Sequence, residues 1–205
     1  MKNALIIVDV QNDFCPGGAL PVPEGDKIIP VINGISKKFF KVIATQDWHP
    51  ENHISFAKTH NKNVGEVVEI DGVKQILWPV HCVEGSSGAN FHKDLDLSNV
   101  DLILRKGRNP LIDSYSAFFE NDKKTETGLH YYLKGLGIND VYICGLALDY
   151  CVYYTAMDSV KLGFNTYVIL DATKGVDVPE GNIEKATSHM EKEGIRLIKS
   201  SDLRK

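Results

Sequence analysis

The chain has 205 residues, 43% hydrophobic and 24% charged, with a formal net charge of −4. That composition builds a globular core without disulfides or structural metals, and no linker-like tract divides it, so one domain over 1–205 is expected. The basic residues are scattered, which argues against nucleic-acid binding, and the first apolar run stops at Asp9, too short for a secretory core or a membrane span.

Short β-branched runs alternate with longer amphipathic stretches, the pattern of an α/β fold. Strands are predicted at 4–8, 41–45, 101–105, 140–144, 166–170 and 195–198. They are apolar throughout rather than alternating, which suits a mostly parallel sheet covered by helices on both faces. Helices are predicted at 26–39, 125–136, 150–162 and 180–193, the last two closed by Gly163 and Gly194. Residues 46–100 form a long region rich in Gly, Pro, Asn and His, with a small hairpin expected at 67–73. A loop region of that length in a compact domain is usually functional.

The polar residues are informative by position. Asp9 closes the first strand, Asp47 the second and Lys106 the third, while Cys151 opens the helix after the fourth. Open parallel sheets bind ligands at the carboxyl ends of strands where the topology reverses, so these four side chains should converge. Asp9 and Lys106 could be a plain buried ion pair. Beside a thiol they have a sharper use: Asp9 as proton acceptor and donor, Lys106 as the cation facing the sulfur. Cys151 sits where helix N–H groups lower a thiol pKa, whereas Cys144 in a strand and Cys15 in a turn read as inert packing, and Cys82 is undecided. The thiols, with no C-x-x-C pair, suit a reducing, cytoplasmic compartment. Asp47, His49 and His81 offer two imidazoles and a carboxylate, a donor set for Zn, Mn or Fe with water positions left open, and His53 is a spare ligand. Phe14, Trp78 and Tyr115 lie in loops that should roof the same edge. No dinucleotide fingerprint, P-loop or G-x-S-x-G elbow is present.

Five blocks in order, ALIIVDVQNDFCPGGALPVPEGD, TQDWHPENHISFA, LWPVHCVEGSSGANFH, RKGRNPLIDSYSAFFEN and YICGLALDYCVYYTAMDSVKLGF, resemble the nicotinamidase branch of the isochorismatase-like cysteine hydrolases. The resemblance implies a single α/β domain around a mostly parallel six-stranded sheet. It implies Asp9, Lys106 and Cys151 as catalytic residues, and Asp47, His49 and His81 as ligands of one divalent metal ion. It further implies a cis peptide before Ala147, an oxyanion hole from the N–H groups of Ala147 and Cys151, and a substrate pocket of Phe14, Trp78, Tyr115 and Ala147. His53 or Ser55 stays open as an extra ligand. The implied reaction is hydrolysis of nicotinamide to nicotinate and ammonia through a cysteine thioester, in NAD salvage. A related amidase or ureide hydrolase and a non-catalytic binding protein are the competing readings. The implied partner is a small molecule, with assemblies ranging from monomer to homo-oligomer.

Overall fold

The computed structural model describes residues 2–203. Along the chain, β1 (Asn3–Val8) and β2 (Lys41–Asp47) precede a hairpin of β3 (Val67–Ile70) and β4 (Val73–Ile76). Then come β5 (Leu102–Lys106), β6 (Asp140–Leu146), β7 (Asn165–Lys174) and β8 (Arg196–Ile198). Six of these strands form one sheet in the order β5-β2-β1-β6-β7-β8, and every pairing in it is parallel. Starting from β1, the chain adds β2 and β5 on one side and then returns to lay β6 on the other. The topology therefore reverses between β1 and β6, where such sheets open a crevice.

The unbroken apolar strands are explained by burial on both faces. Ala4, Ile6 and Val8 of β1 join a core with Leu129, Leu133, Ala156 and Met190. The alternate residues Leu5 and Ile7 join a second core with Ile28, Ile32 and Ile35. Accordingly α2 (Leu129–Gly135), α3 (Tyr153–Lys161) and α4 (Asn182–Lys192) cover one face and α1 (Ile29–Ser36) the other. Among the described residues, no helix is long and apolar enough to cross a membrane.

The helices are shorter than their sequence patterns. Instead of 26–39, a tight turn at Gly25–Ile28 leads into α1, with Pro30 in its first turn, where a missing N–H costs nothing. The pattern at 125–136 yields a helix only from Leu129, because Thr125 and Thr127 bond back to Glu120 and Phe118. The hairpin turns at Asp71-Gly72, both at positive φ, the combination a two-residue turn requires.

One glycine sets how closely the two central strands approach at the crevice. Gly145 in β6 has φ +112°, and a Cβ there would lie 2.1 Å from the Val8 carbonyl oxygen. Gly145→Ala should therefore lower stability by about 3 kcal/mol or more, through clash and unfavourable φ together. Urea unfolding monitored by circular dichroism checks this; a change below about 1 kcal/mol would show that β1 and β6 can part freely.

Candidate active site

Asp47 and Lys106 are the last residues of neighbouring strands and stand directly opposite each other in the β2–β5 register. β1 ends one strand over, and Asp9 follows it at φ 48°, a left-handed turn that aspartate tolerates. The Lys106 ammonium, buried, lies 2.8 Å from Asp9 Oδ2, pairs with Asp47 Oδ1, donates to the Ser114 carbonyl at 2.9 Å and reaches Cys151 Sγ at 3.5 Å. Thr45 donates its hydroxyl to Asp9 Oδ1 at 2.6 Å and accepts from the Asp9 N–H at 3.2 Å. Gln11 clamps the Asp47 backbone, donating to its carbonyl and accepting from its N–H, each at 2.8 Å. A carboxylate oxygen of Asp9, one of Asp47 and the sulfur of Cys151 all lie within 4.8 Å of one another.

Burial sets the protonation of this cluster. It raises the Asp9 carboxyl to about 6, reinforced by the charge of Asp47 and partly offset by Lys106 and Thr45. Burial also pushes Asp47 upward, but Lys106 and His49 outweigh it and hold this carboxyl well below its usual range. Lys106 stays charged, since the two carboxylates overcome its desolvation. The Cys151 thiol is pushed well up by burial, more than Lys106 offsets, with Asp9 and Asp47 adding to the rise. Burial thus opposes the helix-start argument for a low thiol pKa at Cys151.

Cys151 also sits differently from expectation. Leu148–Val152 forms one wide turn of π-helical spacing before α3 begins, with the Val152 N–H bonding the Ala147 carbonyl at 3.1 Å. The peptide before Ala147 is cis. This turn brings Ala147 and Cys151 to a narrow cavity of about 40 Å³, together with Phe14, Trp78 and Tyr115. Trp78 donates its indole N–H to the Tyr115 hydroxyl at 2.9 Å, and Tyr150 meets Trp78 edge-on at 5.0 Å. All the anticipated pocket residues therefore meet at the sulfur. Tyr150 and Asp113, which the sequence reading passed over, line the same cavity. So did the flanking Thr45 and Gln11 escape notice, although each lies two residues from one of the strand-end carboxylates. Cys15, Cys82 and Cys144 are buried free thiols, raised by desolvation, to about 11 in Cys15.

Asp47, His49 and His81 present ligating atoms within 4.8 Å of one another, all buried. His49 Nδ1 meets the Gly107 carbonyl and His81 Nδ1 the Pro79 carbonyl, each at 2.8 Å. Such bonds fix the tautomer and orientation of a ligating imidazole and free its Nε2. Burial and the neighbouring His49 bring His81 down to about 4, so it is neutral and able to ligate. The donor set fits a divalent cation. His53 stacks on His49 at 4.1 Å, bonds Ser55 Oγ through Nδ1 at 2.7 Å, and its buried Nε2 has no hydrogen-bond partner among the described residues.

A doubly covered parallel sheet thus gathers a carboxylate, an ammonium and a thiol at its switch point. The family model described as Isochorismatase domain matches residues 3–202, and the chain belongs to that family. It is 49% identical to a nicotinamidase from Acinetobacter baylyi, over 98% of this chain and 94% of that protein. A solved nicotinamidase/pyrazinamidase structure from Acinetobacter baumanii matches with TM-score 0.97 at 51% identity, covering 99% of this chain and 98% of that one. A pyrazinamidase from Pyrococcus horikoshii, solved in complex with zinc, matches with TM-score 0.79 at 41% identity, covering 97% and 99%.

Two substitutions test the geometry without an activity assay. Lys106→Met leaves two buried carboxylates without their cation and should cost about 3–5 kcal/mol in urea unfolding; wild-type stability would mean that the ammonium is dispensable to the cluster. Gly107 has φ +62°, and a Cβ there would sit 2.3 Å from His49 Cε1. Gly107→Ala should therefore weaken zinc binding by about 10-fold or more in a competitive chelator titration, since it displaces the ring and its backbone anchor.

Proposed function

We propose that the protein hydrolyses nicotinamide to nicotinate and ammonia through a thioester on Cys151. The observation that carries this reading is the buried Lys106 ammonium, 2.8 Å from Asp9 and 3.5 Å from the sulfur of Cys151, which itself lines a slot walled by aromatic rings. A flat heteroaromatic amide suits that slot, and the nicotinamidase relatives support the choice of ring. The aromatic lining favours this substrate over a ureide, which would leave the rings without a partner.

Asp9 takes the thiol proton as sulfur attacks the amide carbon. A carboxyl titrating near 6 is matched to that exchange at neutral pH. Lys106 balances negative charge on whichever of Asp9 and sulfur carries it. The N–H groups of Ala147 and Cys151 are assigned to the tetrahedral oxyanion. Asp9 returns the proton to the departing nitrogen, and then accepts one from the water that cleaves the thioester. Asp47, His49 and His81 would hold a divalent ion, which we assign as zinc on the donor set and the zinc-bound relative; when bound it supplies a Lewis-acidic centre beside the slot. The free thiols support a cytoplasmic setting, and the product acid fits a role in NAD salvage.

Cys151→Ala should bind nicotinamide within about threefold of wild type by calorimetry while kcat for ammonia release drops by about 10³-fold or more. Substantial turnover in that variant excludes the covalent route. A panel of non-pyridine amides and ureides, assayed for ammonia, separates nicotinamidase activity from that of a related amidase.

A further inference from the structure

The slot in front of Cys151 is narrow and lined by Phe14, Trp78, Tyr115 and Tyr150, so the aromatic acyl group of a thioester would occupy it. Yet at that stage ammonia must leave and water must arrive. A second cavity of about 250 Å³ lies behind the site, between the β3–β4 hairpin and the loop after β5, and opens to solvent beside the exposed residues Asp71, Leu111 and Lys124. Asp113 lines both cavities. At this shared residue Gln75, which lines the second cavity, donates its Nε2 to Asp113 Oδ2 at 2.9 Å, and the other Asp113 oxygen accepts from the Ser114 N–H at 2.8 Å, so the Gln75–Asp113 pair forms a polar wall of the second cavity. The Ser114 carbonyl is in turn held by Lys106, so this wall is tied directly to the catalytic cluster. On its inner side, a carboxylate oxygen of Asp113 lies within 4.8 Å of ring nitrogens of His49 and His53. The buried Nε2 of His53 lacks a hydrogen-bond partner among the described residues, a place where a small polar molecule is stabilised. On its outer side, Asp71 and Asp122 outnumber Lys124, which favours an ammonium ion.

We infer that ammonia leaves, and hydrolytic water enters, through the Gln75–Asp113 wall into the hairpin cavity while the acyl group occupies the aromatic slot. The inference rests on the nicotinamide hydrolysis proposed above. In that reaction the S–C bond forms as the C–N bond breaks, and nitrogen departs as ammonia carrying the former thiol proton. Water then adds its oxygen to the same carbon, the S–C bond breaks and one proton returns to sulfur. Only the small species, ammonia and water, need the rear passage.

The test uses the full chain loaded with zinc. Nicotinamide turnover by the wild type comes first; its absence counts against the proposed reaction and not against the passage alone. Val73→Trp and Ile112→Trp fill the hairpin cavity from two separate segments, so misfolding of one leaves the other to decide, and Gln75→Ala opens the wall. Thioester is read by intact mass after acid quench, and access is read by exchange of isotopically labelled ammonium into unreacted nicotinamide. Filling the cavity should make thioester accumulate and lower kcat, and also exchange per unit of thioester, by about tenfold, as product-release defects do. Gln75→Ala should raise that exchange above wild type. Folded filled variants that turn over and exchange as wild type does would overturn the passage, as would unchanged exchange in Gln75→Ala.

Discussion

A single buried ammonium organises this site. Lys106 has three N–H bonds to give and faces two carboxylates, one carbonyl and one sulfur. Removing such a cation from water costs several kcal/mol, and only charged, well-placed partners offset that. The strand register supplies them: parallel pairing of β2 with β5 sets Asp47 opposite Lys106, and β1, one strand further in, delivers Asp9. The sulfur comes from across the switch point, where Gly145 lets β6 approach the end of β1. The catalytic geometry is therefore a consequence of sheet order, and a slip of one residue in any of these strands would turn a charged group into the apolar core.

The same cluster carries an imbalance. Asp9 and Asp47 bring two negative charges against one on Lys106, and buried His81 and His53 are driven toward neutrality. Asp47 stays ionised, and His49, despite its burial, is raised by that charge. An ionised carboxylate beside the neutral imidazole of His81 is a donor set that suits a divalent cation. Asp47 turns one oxygen to Lys106 and the other toward His49, so the carboxylate that pairs with the ammonium is also one of the three groups that could hold a divalent ion.

Much of this was legible in the sequence because strand-end position is legible. Apolar runs mark the strands, and the first charged residue after each of the first three marks the crevice; Asp9, Asp47 and Lys106 follow from that alone. Cys151 was legible as the residue opening the helix after the fourth strand, and Phe14, Trp78 and Tyr115 as aromatic residues of loops at the same edge, but the pocket role of those three came from the motif blocks, since loops carry no periodicity to fix it. What stayed hidden depended on tertiary approach. Thr45 and Gln11 act through bonds to residues on other strands. Asp113 sits in an irregular loop, and only the packed hairpin shows that it divides two cavities. The helix-start argument for a low thiol pKa could not foresee that Cys151 is buried, which pushes its thiol up, or that the chain forms a wide turn rather than an α-helical first turn there.

Dryness explains both the strength of the site and its cost. Burial raises the Asp9 carboxyl to about 6 and pushes the Cys151 thiol well up, so the proposed reaction needs Asp9 to take the thiol proton as sulfur attacks. Coulombic stabilisation by Lys106 is correspondingly stronger than it would be in water. But a hydrolase must admit water for its second step, and a slot tight enough to exclude solvent from the first is poorly suited to the second. The passage inferred above meets that conflict spatially: aromatic residues from the loops line the front slot, while the polar pair Gln75 and Asp113, beneath the hairpin, lines the second cavity, and Asp113 reaches both.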